Sequence, residues 1–172
     1  SNVGDFQVVT RPIYLALITI FSYPIFRFLF PEFVKLLKEE KLNEIKKIKR
    51  IMNSSIFLCS VVLIISCWSF SEALISMIFP EEYSKSYHYL NILILALPFV
   101  ILTSVLFALI KSLQHFKATF IIRLIGLIAF LLILITLYLL EFNEISVVYA
   151  MLFSAIIMFI CSYFYEKRIR QY

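Results

Sequence analysis

The stretch EFVKLLKEEKLNEIKKIKRIMN, residues 32–53, is the only long polar segment in an otherwise apolar chain. It contains seven basic residues and four glutamates, and its apolar residues recur at helical spacing. One long apolar run precedes it and four follow it. In a membrane protein, a lysine-rich segment of this length marks the cytoplasmic side. We therefore predict an amphipathic, basic cytoplasmic linker over 31–53.

The composition of the chain is that of an integral membrane protein. Of its 172 residues, 62% are hydrophobic and only 16% are charged, and the mean hydropathy is +0.96. A soluble domain of this length does not need so much apolar surface, so we predict an all-α membrane protein. The net charge of +5 lies between apolar runs. We assign it to the cytoplasmic membrane face, next to anionic lipid, and not to nucleic acid.

Five apolar runs are long enough to cross a bilayer. A run of about 19 residues spans roughly 28 Å as a helix, which matches the hydrocarbon thickness. Pro24 lies inside the first run and predicts a kink, and Pro31 predicts its end. We treat the whole chain, 1–172, as one transmembrane lobe. The predicted spans are about 12–30, 54–79, 89–110, 120–140 and 145–165.

Basic residues alternate between the loops. They are frequent in the linker, between the third and fourth spans, and in the tail, and they are scarce in the other loops. This alternation predicts that the chain starts outside the membrane and ends in the cytoplasm. The basic residues outside the linker on the predicted cytoplasmic side are Lys111, Lys117, Lys167, Arg168 and Arg170.

The order of the motifs resembles a known family. The first span ends in FLFPEF, the second in ALISMIFPEEYSKS, and HFKATFIIRLIGL leads into the fourth span before a basic tail. This order resembles the C-terminal part of Wzx-type polysaccharide (O-antigen) flippases, in the multidrug and oligosaccharidyl-lipid exporter superfamily. The resemblance covers nearly the whole chain. It implies the last five of about twelve helices, with the first lobe missing.

The resemblance also implies a function without covalent chemistry. Such flippases move undecaprenyl-diphosphate-linked oligosaccharide repeat units from the inner to the outer leaflet of the bacterial cytoplasmic (inner) membrane, for surface polysaccharide biosynthesis. The implied partners are the lipid-linked oligosaccharide, membrane lipids, the missing N-terminal lobe and the polysaccharide polymerase. Neither a cofactor nor nucleic acid is expected.

Three arginines are candidates for substrate binding. Arg27 and Arg123 fall in or beside predicted spans, so we expect them at membrane depth. They either face an inner vestibule and attract the diphosphate, or extend to the lipid headgroups near the boundary. Arg11 lies at the outer mouth of the first span, where it either assists release or anchors the helix at the interface.

Three further residues are candidates for coupling or gating. Glu72 either couples transport to a proton or Na⁺, or faces water at the span boundary. Asn91 and Pro98 either form a hinge in the third span or mark a packed kink.

No catalytic or metal motif is present in the sequence. Cys59, Cys67 and Cys161 lie in apolar runs and are interpreted as small packing residues. His88 and His115 lie in predicted loops, apart from each other and from any cysteine, so no metal site is expected. We therefore do not expect an enzyme.

Two alternative functions stay open. A polytopic polymerase or ligase of surface polysaccharide would normally carry a sizeable polar loop outside the membrane, whereas the outer loops here are short. A small membrane scaffold subunit, complete in itself, is the other alternative.

Overall fold

The computed structural model of the protein describes residues 6–142 and 145–169, and over those residues the fold is all-α with five membrane-length helical segments. The predicted fold class is therefore confirmed. Residues 1–5, 143–144 and 170–172, including Arg170 of the predicted basic tail, lie outside the described residues. The α-helices are α1 Arg11–Lys38, α2 Leu42–Ile78, α3 Tyr87–Leu93, α4 Leu97–Ser112, α5 Phe116–Leu139 and α6 Ile145–Ile169.

Shorter helical turns complete the described chain. A π-helical turn, Phe6–Thr10, precedes α1, and a 3-10 turn, Glu81–Ser86, precedes α3. A second 3-10 turn, Ile94–Ala96, joins α3 to α4. The third span, Tyr87–Ser112, is therefore one membrane-length segment with a break inside it.

The predicted linker is not a separate element. Helix α1 continues through Pro31 to Lys38, and α2 begins at Leu42, so Pro31 does not end the helix of the first predicted span. A proline inside a helix costs about 3 kcal/mol through its lost hydrogen bond and ring clash. Beyond Pro31, however, Phe33 and Leu36 are buried in the same hydrophobic cluster as residues of α4. We attribute the continued helix to this packing.

A tight turn of three residues, 39–41, joins α1 to α2 and forms a helical hairpin. Helix α2 has 37 residues, about 56 Å of helix, against roughly 30 Å of hydrocarbon. At least one end of α2 therefore projects beyond the hydrocarbon. In the turn, Lys41 Nζ donates a 2.7 Å hydrogen bond to Glu39. This contact lowers the pKa of the Glu39 carboxyl and raises the pKa of the Lys41 ammonium.

Helix α4 is the centre of the bundle. In the third span 61% of the most apolar window is buried inside the protein, compared with 11% in α1, α2 and α5. Helix α1 packs along α4, α6 packs along another side of α4, and α5 packs along α6. Helices α1 and α5 do not pack extensively against each other. A groove therefore separates them, with α4 and α6 at its floor.

Helices α1, α4 and α5 end in the same way. Each is followed by a residue in the left-handed conformation: Glu40 (φ 56°), Gln114 (φ 64°) and Glu141 (φ 62°). In each case that residue and the next one donate backbone hydrogen bonds back into the last turn, the Schellman arrangement. Glycine is the usual residue at this position because it has no Cβ to clash, but the chain contains only two glycines.

One of those glycines sets the spacing of α5 and α6. A Cβ placed on Gly126 would overlap Cγ and Sδ of Met158 on α6. Gly126 itself is buried. The missing side chain thus permits close contact between the two helices, which is a common device in membrane bundles.

Candidate functional site

Two adjoining cavities, each of about 300 Å³, lie between α1, α4, α5 and α6. They share four lining residues, Ile18, Ser104, Phe107 and Arg123, and so form one continuous groove. The other lining residues combine apolar side chains with serine, threonine and tyrosine hydroxyls and Lys111. We call this feature the cationic groove, because Arg123 and Lys111 both line it.

Each cation of the groove lies over an aromatic ring. The guanidinium carbon of Arg123, on α5, is 5.4 Å from the centroid of the Phe107 ring on α4. The Lys111 Nζ, near the end of α4, is 5.0 Å from the centroid of the Phe26 ring on α1. Both distances fall in the range of cation–π contacts. Each ring therefore supports one of the two cations.

No carboxylate neutralises these cations within the described part of the chain. The ion pairs found there are Lys41–Glu39 and Lys49–Glu166, and neither Lys111 nor Arg123 belongs to one. Two cations that share one cavity repel each other, and an anion bound in the groove would offset this repulsion.

The serine and threonine hydroxyls of the groove fall into two kinds. Four of them already donate to a backbone carbonyl of the preceding helical turn: Thr19 to Leu15 (2.8 Å), Thr103 to Phe99 (2.7 Å), Ser104 to Val100 (3.1 Å) and Ser154 to Met151 (2.9 Å). Ser22 is different, since its Oγ is buried and has no hydrogen-bond partner among the described atoms. Its hydroxyl hydrogen is therefore available to an acceptor in the groove.

Of the three arginines predicted from the sequence, the structure places only Arg123 in the groove. Arg27 and Arg11 are exposed on α1 and line neither cavity of the groove. Their roles in substrate binding stay predictions. The structure brings Arg123 together with Lys111, which sequence reasoning assigned only to a basic turn.

The predicted coupling and gating residues lie on other elements. Glu72 is exposed on α2. Asn91 and Pro98 flank the break Ile94–Ala96, and Pro98 sits in the first turn of α4, where its missing N–H is tolerated. The backbone carbonyl of Asn91 accepts a 3.2 Å hydrogen bond from Trp68 Nε1 on α2. The hinge stays a prediction. The helix is interrupted at the place where the hinge was predicted, between Asn91 and Pro98.

Sequence reasoning missed four residues that the structure makes prominent. Lys111 and Ser22 belong to the groove, and a second pair, Lys49 and Glu166, forms a 2.8 Å ion pair between α2 and α6. For Lys111 a signal was available, because it follows Phe107 by four residues and therefore shares its helix face. For the ion pair no local signal exists, since 117 positions separate its members.

The described residues contain no group of three histidines, cysteines or carboxylates placed to hold a metal ion. Cys67 and Cys161 are half-buried, whereas Cys59 is exposed on α2 and its expected packing role is not supported. His115 is exposed, and its Nδ1 lies 3.1 Å from the Tyr165 hydroxyl of α6. This contact ties the α4–α5 turn to α6.

Comparisons with protein-family models, with curated proteins and with solved structures give no match. The resemblance to polysaccharide flippases therefore stays a prediction based on the order of motifs. The structure shows an all-α protein with five helices long and apolar enough to cross a membrane, and these helices form a groove lined by two cations without carboxylate partners among the described residues.

Proposed function

We propose that the protein is the C-terminal lobe of a flippase that moves undecaprenyl-diphosphate-linked oligosaccharide repeat units from the inner to the outer leaflet of the bacterial cytoplasmic membrane, for surface polysaccharide biosynthesis. One observation carries the proposal: Arg123 and Lys111 line one cavity, and neither forms an ion pair with a described carboxylate. Basic side chains placed in this way in a membrane protein often serve the binding of an anionic ligand.

The chemistry of the groove fits a diphosphate. A guanidinium presents several donors in a plane and binds phosphate oxygens in pairs, whereas an ammonium acts as a compact point charge. The Ser22 hydroxyl adds a neutral donor. A diphosphate diester has two ionised phosphates, which match the two cations in charge. The lipid tail would stay in the bilayer and the glycan would extend toward water.

Movement of a cargo requires an element that changes shape. The third span is broken at Ile94–Ala96, and both Ile94 and Ala96 are fully buried. Short 3-10 segments inside longer helices often act as hinges, and broken helices are common in transporters. A change of angle at this break would move α4, and with it Lys111 and one wall of the groove. No bond is made or broken in this function, so the protein is not proposed to be an enzyme.

The two predicted cytoplasmic regions lie at one end of the bundle. Leu37 of α1, Lys46 of α2 and Ile169 at the end of α6 line the same small cavity. We call this end of the molecule the hairpin end. A common location for the hairpin and the end of α6 is what the proposed orientation requires, with the chain start outside and the C-terminus in the cytoplasm.

A leaflet-accessibility experiment tests the proposed function. The coding sequence is deleted from its host, and the glycan of the lipid-linked oligosaccharide is exposed to a membrane-impermeant oxidant in spheroplasts. We expect the glycan to become protected in the inner leaflet after deletion and to become accessible again after re-expression. An unchanged accessible fraction after deletion would overturn the proposal.

A further inference from the structure

The buried ion pair Lys49–Glu166 connects two helices that otherwise have little contact. Lys49 Nζ lies 2.8 Å from Glu166 Oε2, and the two side chains are only 11% and 3% exposed. The same ammonium lies 5.8 Å from the centroid of the Tyr163 ring, one turn before Glu166. Helix α2 packs against α3 and α4, and it does not pack extensively against α6. The pair therefore bridges a cleft between α2 and α6.

An apolar cavity lies next to this bridge, at the hairpin end. Its volume is about 270 Å³, and it is lined by Leu37, Leu42, Ile45, Lys46, Leu109, Leu113 and Ile169. On α2, Ile45 and Lys46 precede Lys49 by one helical turn. On α6, Ile169 follows Glu166 by three residues. The ion pair thus joins the two helices one turn away from the cavity and limits how far they separate.

We propose that Lys49–Glu166 is a latch: the closed pair holds α2 against α6 next to the cavity, and its release opens the α2–α6 cleft at the hairpin end. This device goes beyond the proposed function, because it concerns motion within the lobe and does not depend on the cargo.

The energetics of a buried ion pair suit a contact that forms and breaks better than one that is always closed. A closed pair adds little net stability, because desolvation of both charges offsets most of their attraction. Removal of one partner is costly, because it leaves an unpaired charge in a place with little water. A packed apolar contact at the same place would hold the helices together in every state. The ion pair instead holds them only while both charges are present and close.

The cavity residue Leu109 provides the readout. Leu109 is 3% exposed on α4 and lines the cavity. The protein carrying Leu109→Cys is placed in lipid nanodiscs and treated with a membrane-impermeant maleimide. The labelling rate is followed by mass spectrometry of the peptide that contains position 109, so that labelling of the three native cysteines is counted separately. We expect slow labelling while the latch is intact.

Charge removal should open the cleft. Lys49→Gln and Glu166→Gln should each accelerate labelling at position 109 by about tenfold or more. The charge-swapped variant Lys49→Glu/Glu166→Lys should return the rate toward that of the intact pair. Lys41→Gln serves as the matched control. It breaks the Lys41–Glu39 pair, which has a similar length of 2.7 Å but is largely exposed, and it should leave the rate unchanged.

The double variant Lys49→Ala/Glu166→Ala decides the outcome if the single variants do not fold. It removes both charges, so no unpaired buried charge opposes folding. Its circular dichroism should match that of the unsubstituted protein while labelling at position 109 is fast. Labelling of this folded variant at the slow rate would overturn the latch.

Discussion

Lys111 and Arg123 lie on different helices on the two sides of a tight turn, and both face the same groove. The turn reverses the chain between α4 and α5, with Gln114 in the left-handed conformation. In the sequence these cations are a loop lysine and a boundary arginine. In the fold they form a site whose positive charge has no described carboxylate partner, and this excess of charge is the basis of the proposed anionic cargo.

The first prediction concerns Ser22, whose buried hydroxyl has no hydrogen-bond partner among the described atoms. A buried unsatisfied polar group costs about 1–3 kcal/mol, so Ser22→Ala should raise the thermal stability of the ligand-free protein. The same substitution should weaken retention of a diphosphate lipid several-fold. The measurements are thermal unfolding in detergent and lipid retention by native mass spectrometry.

Thr103→Ala is the matched control for Ser22→Ala. Thr103 also lines the groove, but its hydroxyl already donates to the Phe99 carbonyl at 2.7 Å. This control should leave lipid retention near that of the unsubstituted protein. If Ser22→Ala lowers stability and leaves retention unchanged, the hydroxyl does not serve a ligand.

The second prediction concerns the close contact of Gly126 with Met158 between α5 and α6. In Gly126→Ala the new methyl group overlaps Cγ and Sδ of Met158, and overpacking of this kind costs about 1–3 kcal/mol. The melting temperature should fall accordingly. Met158→Ala should make room, so that the double variant loses less stability than the sum of the two single variants. Strictly additive losses would show that the two residues do not compete for space.

The third prediction concerns the left-handed residue Gln114 after α4, with φ 64°. Because this conformation costs a residue with a Cβ about 1 kcal/mol or more, Gln114→Gly should raise the melting temperature by a few degrees. Lys47→Gly, in the exposed interior of α2, is the opposite control and should lower stability by about 1 kcal/mol. A fall in melting temperature with Gln114→Gly would contradict the assigned turn geometry.

The five membrane-length helices could be predicted from the sequence because an apolar run of bilayer length is a local signal. The continuation of the helix through Pro31 could not be predicted from the sequence. It depends on the burial of Phe33 and Leu36 in a cluster that they share with residues of α4. The intrinsic preference of proline and tertiary packing oppose each other at this position, and packing prevails. The predicted linker was therefore divided between the ends of two helices.

The residues of the candidate site could be predicted only in part from the sequence, for a similar reason. Arg123 stood out because a charge inside an apolar run is rare. Lys111 looked like an ordinary loop lysine, and its place in the groove depends on how α4 packs against the neighbouring helices. Glu166 stood among the basic residues of the tail, and only the fold places it 2.8 Å from Lys49. Long-range contacts of this kind leave no trace in local sequence.

The fourth prediction follows from the proposed two-lobe mechanism. If the cargo crosses between two lobes, the 172-residue chain alone should bind the diphosphate lipid but should not move it between leaflets. The measurement is the leaflet distribution of a fluorescent lipid-diphosphate sugar in reconstituted vesicles, with protein-free vesicles as the baseline. Movement above this baseline by the chain alone would refute the two-lobe account.

The most direct test of the account is whether the groove recognises the charge of its ligand. The quantity to measure, by native mass spectrometry, is the retention of undecaprenyl diphosphate relative to neutral undecaprenol. We expect a strong preference for the diphosphate. Charge-assisted hydrogen bonds contribute about 1.5–3 kcal/mol each, so Lys111→Gln/Arg123→Gln should reduce this preference about tenfold or more. Arg27→Gln, outside the groove, should change it less than about twofold. An undiminished preference in Lys111→Gln/Arg123→Gln would contradict the account.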